Sequence, residues 1–247
     1  MGVIARCNWK MDLEKLYTNL KVTPDVAENG SIISIKNLYR IRGIVFNKKK
    51  GFNNSITVVM WFNKNTINVK LFEDKMQMSG IMNFGFAEQI FILLFENMHH
   101  LIDIPKRPTV VFAEAMVNVN FNIGCEINRQ ILDSYIVTLD SDFKSVYETS
   151  VGYEGVIIKL PLEQHNHALH SIYLDDIWIQ ERISFNNYRK NWLTEDEVYD
   201  MENVKAYHTF IVFRSGNVMF SSKVLLEMES VFNKFCQLIK DSGSIII

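Results

Sequence analysis

Residues 116–128 read "MVNVNFNIGCEIN". Asn118, Asn120 and Asn122 lie two apart in it, alternating with Val117, Val119, Phe121 and Ile123. Side chains of an extended chain point to opposite faces in turn, so the amides share one face and the apolar residues the other. Asparagine is depleted in strands because its amide competes for backbone hydrogen bonds. A sheet face lined by carboxamides, in place of the usual Lys, Glu and Thr, therefore asks for a reason. The ordinary alternative is a solvated strand face.

Outward from this strand (110–123), the order of predicted elements repeats. Before it, "DLEKLYTNL" (12–20) predicts a short helix capped by Asp12, with Leu13, Leu16, Tyr17 and Leu20 as its apolar stripe. Three strands follow at 55–62, 66–72 and 75–82, the last two joined by a tight hairpin at "ED". A long helix over about 86–102 is apolar nearly all round and must be largely covered. "DIPKRP" (103–108) ends it and reads as a linker. After the amide strand come a helix (126–139), a strand (155–160), a hairpin turning at "SGN" (209–222) and a closing helix with Leu225, Met228, Phe232, Phe235 and Ile239 in its stripe. Strand, helix, several strands and long helix, twice, predicts an internal duplication. Its copies are 1–104, with an inserted segment at about 22–50, and 109–247, joined by a linker at 105–108. The second copy is stretched by an acidic, aromatic insertion at about 161–206, within which "TEDE" (194–197) is a capping box.

Composition bounds the function. The chain has 247 residues, 48% of them hydrophobic, enough for a sizeable core, and a formal net charge of −2. Near-neutral charge requires any nucleic-acid contact to come from a local patch. The longest strongly apolar run, "IFILLF" (90–95), is far short of the roughly 20 residues of a membrane span. The start has neither a signal-peptide profile nor a myristoylation motif. Cys7, Cys125 and Cys236 are far apart and lack metal-ligand spacing, so reduced thiols in an intracellular, cytosol-like compartment are expected.

The duplicated order, together with "IVFRSGNVMFSS" (211–222), resembles the TATA-box-binding protein family, whose repeats carry a Ser-Gly hairpin followed by a long helix. "MVNVNFNIGCEINRQIL" (116–132) resembles the family's first strand and helix, and "YETSVGYEGVIIKLPL" (147–162) a segment leading to its hairpin. In the first half, "WKMDLEKLYTNL" (9–20) and "LFEDKMQMSG" (71–80) resemble the corresponding helix and a shortened hairpin. The resemblance excludes about 22–50 and 161–206. Such divergence, with "FNNSITVVMWF" (52–62), is most similar to the TBP-like proteins of large cytoplasmic DNA viruses.

The resemblance implies an α+β saddle: one curved antiparallel sheet from two pseudo-symmetric repeats, long helices on the convex face, and DNA on the concave one. It implies a transcription initiation factor that binds A·T-rich double-stranded DNA through the minor groove. RNA polymerase or general transcription factors would be its protein partners. No cofactor, metal or small-molecule substrate is implied, and its site of action would be the host cytoplasm or nucleus, or the virion. Asn118 or Asn120 takes the place of the family's first-strand asparagine. Phe213 and Phe72 stand at its intercalating phenylalanines, and Tyr153 at a third. For the fourth, counting gives Ile56; Phe52 in "NKKKGFNN" is preferred, because Lys48, Lys49 and Lys50 beside it can hold phosphates. The groove-floor positions become Gln77 and Ser79 in the first half and Met219 and Ser221 in the second. Gln77 departs from the family's apolar pattern, and the long helix carries Glu88 and Glu96 where the family is basic.

Other constellations give weaker readings. "HNHALH" places His165, His167 and His170 near Asp175 and Asp176, a composition that suits zinc without a known ligand spacing. His99 and His100 read as helix capping. Trp178, Trp192 and Tyr199 in the insertion offer a docking surface for a protein partner. No phosphate loop, nucleophile elbow or dinucleotide fingerprint is present, so no enzyme is expected. The competing expectation is a protein-interaction module of a transcription complex that keeps the fold and has lost DNA binding.

Overall fold

The computed structural model describes residues 1–46, 53–147, 155–162 and 168–246. In chain order the elements are β1 (Gly2–Cys7), α1 (Leu13–Asn19), β2 (Ile32–Lys36), β3 (Ile41–Gly43), β4 (Ile56–Phe62), β5 (Asn65–Leu71), β6 (Lys75–Ser79) and α2 (Phe84–Met98). Then follow β7 (Thr109–Asn122), β8 (Glu126–Ile127), α3 (Arg129–Thr138), β9 (Lys144–Val146), β10 (Gly155–Pro161), β11 (Ala168–Leu174), β12 (Ile177–Ile183) and α4 (Phe185–Trp192). The chain closes with α5 (Glu195–Asn203), β13 (Tyr207–Phe213), β14 (Asn217–Ser222), α6 (Met228–Asp241) and β15 (Ile245–Ile246). The class is α+β, with antiparallel pairing throughout the recorded ladders. Among the described residues, no helix is long and apolar enough to cross a membrane.

The chain forms two compact units: Met1–Ala115 with His167–Trp192, and Met116–Asn166 with Leu193–Ile247. The sequence reading assigned 109–247 to a single second copy. In the structure the division falls inside β7, at Ala115 and Met116, and most of the insertion belongs to the first unit. The physical reason is strand pairing: β11 adds to the start of β7 through Leu169–Ile172 opposite Phe112–Thr109.

In the first unit the strand order is β1, β6, β5, β4, β2, β3. Alternation sends Val3, Met78, Val69, Val58 and Ile35 to one face, where all five are fully buried beneath the helices. Asp12 caps α1 as expected, accepting the Lys15 N–H at 2.9 Å. Helix α2 is capped by Asn83, whose side chain accepts from the Phe86 N–H, and it buries Ala87, Ile90, Phe91, Leu94, Phe95 and Met98. It starts two residues before the predicted helix, and a 3-10 turn at His99–Leu101 replaces its predicted end. Its apolar flank is covered by the β11–β12 hairpin: the Trp178 ring lies edge-on to Phe91 at 5.5 Å and to Phe95 at 5.8 Å. The insertion of this chain thus supplies the cover that an all-round apolar helix requires.

In the second unit the order is β7, β14, β13, β10, β9. Phe210 is stacked between Phe220 and Phe235 of α6, with centroids 4.1 Å away on either side. Fully burying such a ring stabilises by about 2 kcal/mol. Phe121 meets Phe232 of α6 at 5.0 Å, which fixes the Val117, Val119 and Phe121 side of β7 as the helix side. The capping box at Thr194 and Glu197 forms as expected. The short pair β8–β15 ties the C-terminus to the entry of α3.

Candidate nucleic-acid interface

The amide side of β7 is open. Asn118 and Asn120 are exposed on the sheet face away from α6, and neither makes a side-chain hydrogen bond among the described residues. Asn122 has a different task. Its Nδ2 donates to Asn217 Oδ1 at 2.7 Å and to the Ser215 carbonyl at 3.3 Å, and its Oδ1 accepts from the Gly124 N–H at 2.6 Å. One amide of the three locks the neighbouring turn; the other two are left with donors and acceptors to offer.

Register extends these amides into rows across the sheet. Asn118 lies opposite Ser221, which faces Thr209, then Lys159, then Lys144. Asn120 lies opposite Met219, then Ile211, Ile157 and Val146. The open face therefore carries one polar and basic row and one apolar row, side by side. Lys159 is held over the Tyr207 ring at 5.5 Å, which keeps its ammonium on this face. Lys144, Lys159, Thr209, Ile157 and Ile211 were not among the residues singled out from the sequence. The signal that finds Lys159, Ile157, Thr209 and Ile211 is the period-2 alternation of "GVIIKL" once it is paired to the "SGN" hairpin; Lys144 joins them only through the β9–β10 register.

Phe213 ends the same face. It closes β13, half-buried, where the chain turns through Arg214 and Ser215, with the Gly216 N–H donating to its carbonyl at 3.0 Å. Gly216 has φ +77°, and a Cβ there would meet the Cys125 carbonyl oxygen at 2.2 Å, so only glycine closes this hairpin. Opposite Phe213 stands Gly155, whose missing side chain leaves room for the neighbouring Ile211 and Phe213 rows: a Cβ there would sit 2.7 Å from Ile211 Cγ2.

In the first unit the face away from α2 carries Ile4, Gln77, Lys70, Thr57 and Lys36 in one registered row, with Ser79 exposed beside it. Phe72, at the β5–β6 turn, lies half-buried under Lys75, whose Nζ is 5.8 Å from the ring centroid. Ile56, the alternative to Phe52, is buried in the core on the helix side. At β1 this face is covered: the Arg6 Nε donates to the Tyr188 hydroxyl of α4 at 3.1 Å, and both residues are buried.

Of the other candidates, Lys48, Lys49, Lys50, Phe52, Tyr153, His165 and His167 lie outside the described residues. His170 is a β11 residue whose Nδ1 lies 3.2 Å from the Glu181 carbonyl across the hairpin. Among the described residues, no three His, Cys, Asp or Glu side chains come together as a metal site.

No family model matches the sequence, and no curated protein matches it. Among solved structures, the chain is similar to TBP of Methanococcus jannaschii over 97% of this chain and 95% of that one, with 14% identity and a TM-score of 0.46.

Proposed function

We propose that this chain is a TBP-like transcription initiation factor, built from two copies of one repeat, that binds and bends promoter DNA through the minor groove. The observation that carries the reading is the pair of exposed, unpartnered amides at Asn118 and Asn120 on the uncovered face of the second unit. Minor-groove edges of A·T pairs offer only acceptors, and an amide N–H donates to them without placing a full charge over the bases. The neighbouring apolar row suits the sugar walls of a widened groove, and Phe213 stands at the end of the face where a ring can wedge a base step. Lys144 and Lys159 can neutralise phosphates. Such a protein acts by binding and deforming DNA, with no turnover, for an RNA polymerase or its accessory factors. By its sequence resemblance it is of the kind found in large cytoplasmic DNA viruses, acting inside the host cell.

The test is equilibrium binding of A·T-rich and G·C-rich duplexes at several salt concentrations. The reading expects preference for A·T. It also expects log affinity to fall linearly with log salt, with a slope of about −2 from Lys144 and Lys159 alone and steeper if the 48–50 lysines join. Equal affinity for both duplexes, or a flat salt response, contradicts it.

A second reading, a protein-interaction module without DNA binding, is favoured by one observation: Tyr188 seals Arg6 on the first unit's sheet face. Loss of duplex binding with retention of a polymerase-associated protein selects this reading.

A further inference from the structure

Within the first unit, β12 pairs only with β11 among the described residues, so its other edge presents free backbone N–H and C=O groups. Its outward side chains, Ile177 and Ile179, are 65% and 44% exposed. No proline interrupts it, and its partner strand pairs along its whole length without a register shift. On the other face, Trp178 and Gln180 line a cavity of about 250 Å³ together with Phe91, Phe112, Ser171 and Glu88. That space is below the range of drug-sized pockets and suits one long side chain.

Glu88 is the polar centre of the cavity. It accepts hydrogen bonds from the Ser171 hydroxyl, at 3.2 Å, and from the Gln180 amide. Both donors are neutral, and Glu88 makes no ion pair among the described residues. Arg182, next on the same face of β12, is exposed and does not pair with it. Burial pushes the carboxyl above its ordinary pKa, against the two hydrogen bonds that lower it. A partly desolvated carboxylate beside the edge-on rings of Phe91 and Trp178 is chemistry that selects a cation.

We propose that the free edge of β12 takes an extended segment of a partner protein as an added strand, with one arginine or lysine side chain of that segment seated on Glu88 in the cavity walled by Trp178 and Phe91. Backbone hydrogen bonds supply attachment, the cavity selects a basic side chain, and Ile177 and Ile179 select apolar neighbours on the opposite face. The β12 edge belongs to the first unit and the amides of the DNA reading to the second, so different residues and different binding assays test the two proposals.

The probe is the peptide acetyl-Val-Arg-Val-Arg-Val-amide, titrated calorimetrically against the full chain with amide exchange followed on β12. Two controls are the same peptide with citrulline, a neutral isostere, in place of arginine, and free agmatine. The expected result is saturable binding that protects the outward amides of β12. Citrulline replacement and Glu88→Gln, the latter with an unchanged melting temperature, should each weaken binding about tenfold or more. Citrulline peptide binding as tightly, or Glu88→Gln having no effect, overturns the cation site. Agmatine binding as tightly as the peptide, or binding without β12 protection, overturns strand addition. No binding at roughly 1 mM peptide overturns both.

Discussion

His208 shows how a buried polar residue ties β13 to the start of α6. It is 1% exposed, and its Nε2 meets Glu227 Oε2 at 2.9 Å, while its Nδ1 and the second Glu227 oxygen have no partner among the described residues. Desolvation lowers the imidazole pKa from 6.5, opposed by Glu227. A His whose folded pKa is depressed takes up its proton first in the unfolded chain. Its contribution is therefore intact at neutral pH and is lost as pH falls below about 6.5. Thermal unfolding followed from pH 7 to pH 5 should show wild type losing more stability than His208→Gln; parallel curves would refute this. The amides of β7 teach the same lesson in the other direction. Alternation in the sequence was enough to put Asn118, Asn120 and Asn122 on one face. Which of them is spent on the protein's own turn was not legible, because Asn217 and Ser215 reach Asn122 only through the β7–β14 register.

At the scale of elements, periodicity predicts helices and hairpins that hold locally and misses those that are stable only through a partner. The strands at 56–62, 65–71 and 75–79, the helices over 13–19 and 228–241 and the "SGN" hairpin follow local pattern and turn chemistry. β2 and β3 lie in a segment that the sequence marks only as inserted, and β11 and β12 in one it marks only as acidic and aromatic. The β11–β12 hairpin is held by distant contacts: β11 pairs with β7, and Trp178 packs on Phe91 and Phe95 of α2. The sequence does announce the need for such a cover, since α2 has no polar face wide enough for solvent, but not which segment provides it. Trp178→Ala should therefore destabilise the first unit by roughly 2 kcal/mol or more, read as a lower denaturation midpoint with increased exposure of α2 amides to exchange. A change within about 0.5 kcal/mol would mean the hairpin is a passive appendage.

For the whole molecule, the order of elements in each unit decides what the sequence can show. In the first unit β1 and α1 lead through β2 and β3 to β4, β5 and β6, with α2 following; in the second, β7 and α3 lead through β9 and β10 to β13 and β14, with α6 following. The element types were largely legible from local pattern; the allocation of 167–192 to the first unit was not, because it depends on pairing across more than fifty residues of chain. A net charge of −2 makes any DNA contact local, and the second unit's open face concentrates two lysines, free amides and an apolar row where such a contact needs them. The measurement that bears most directly on this account is the affinity of Asn118→Ala/Asn120→Ala for an A·T-rich duplex beside wild type. The double variant should lose about 1–3 kcal/mol of binding with an unchanged melting temperature. Equal affinity of the two proteins would contradict it.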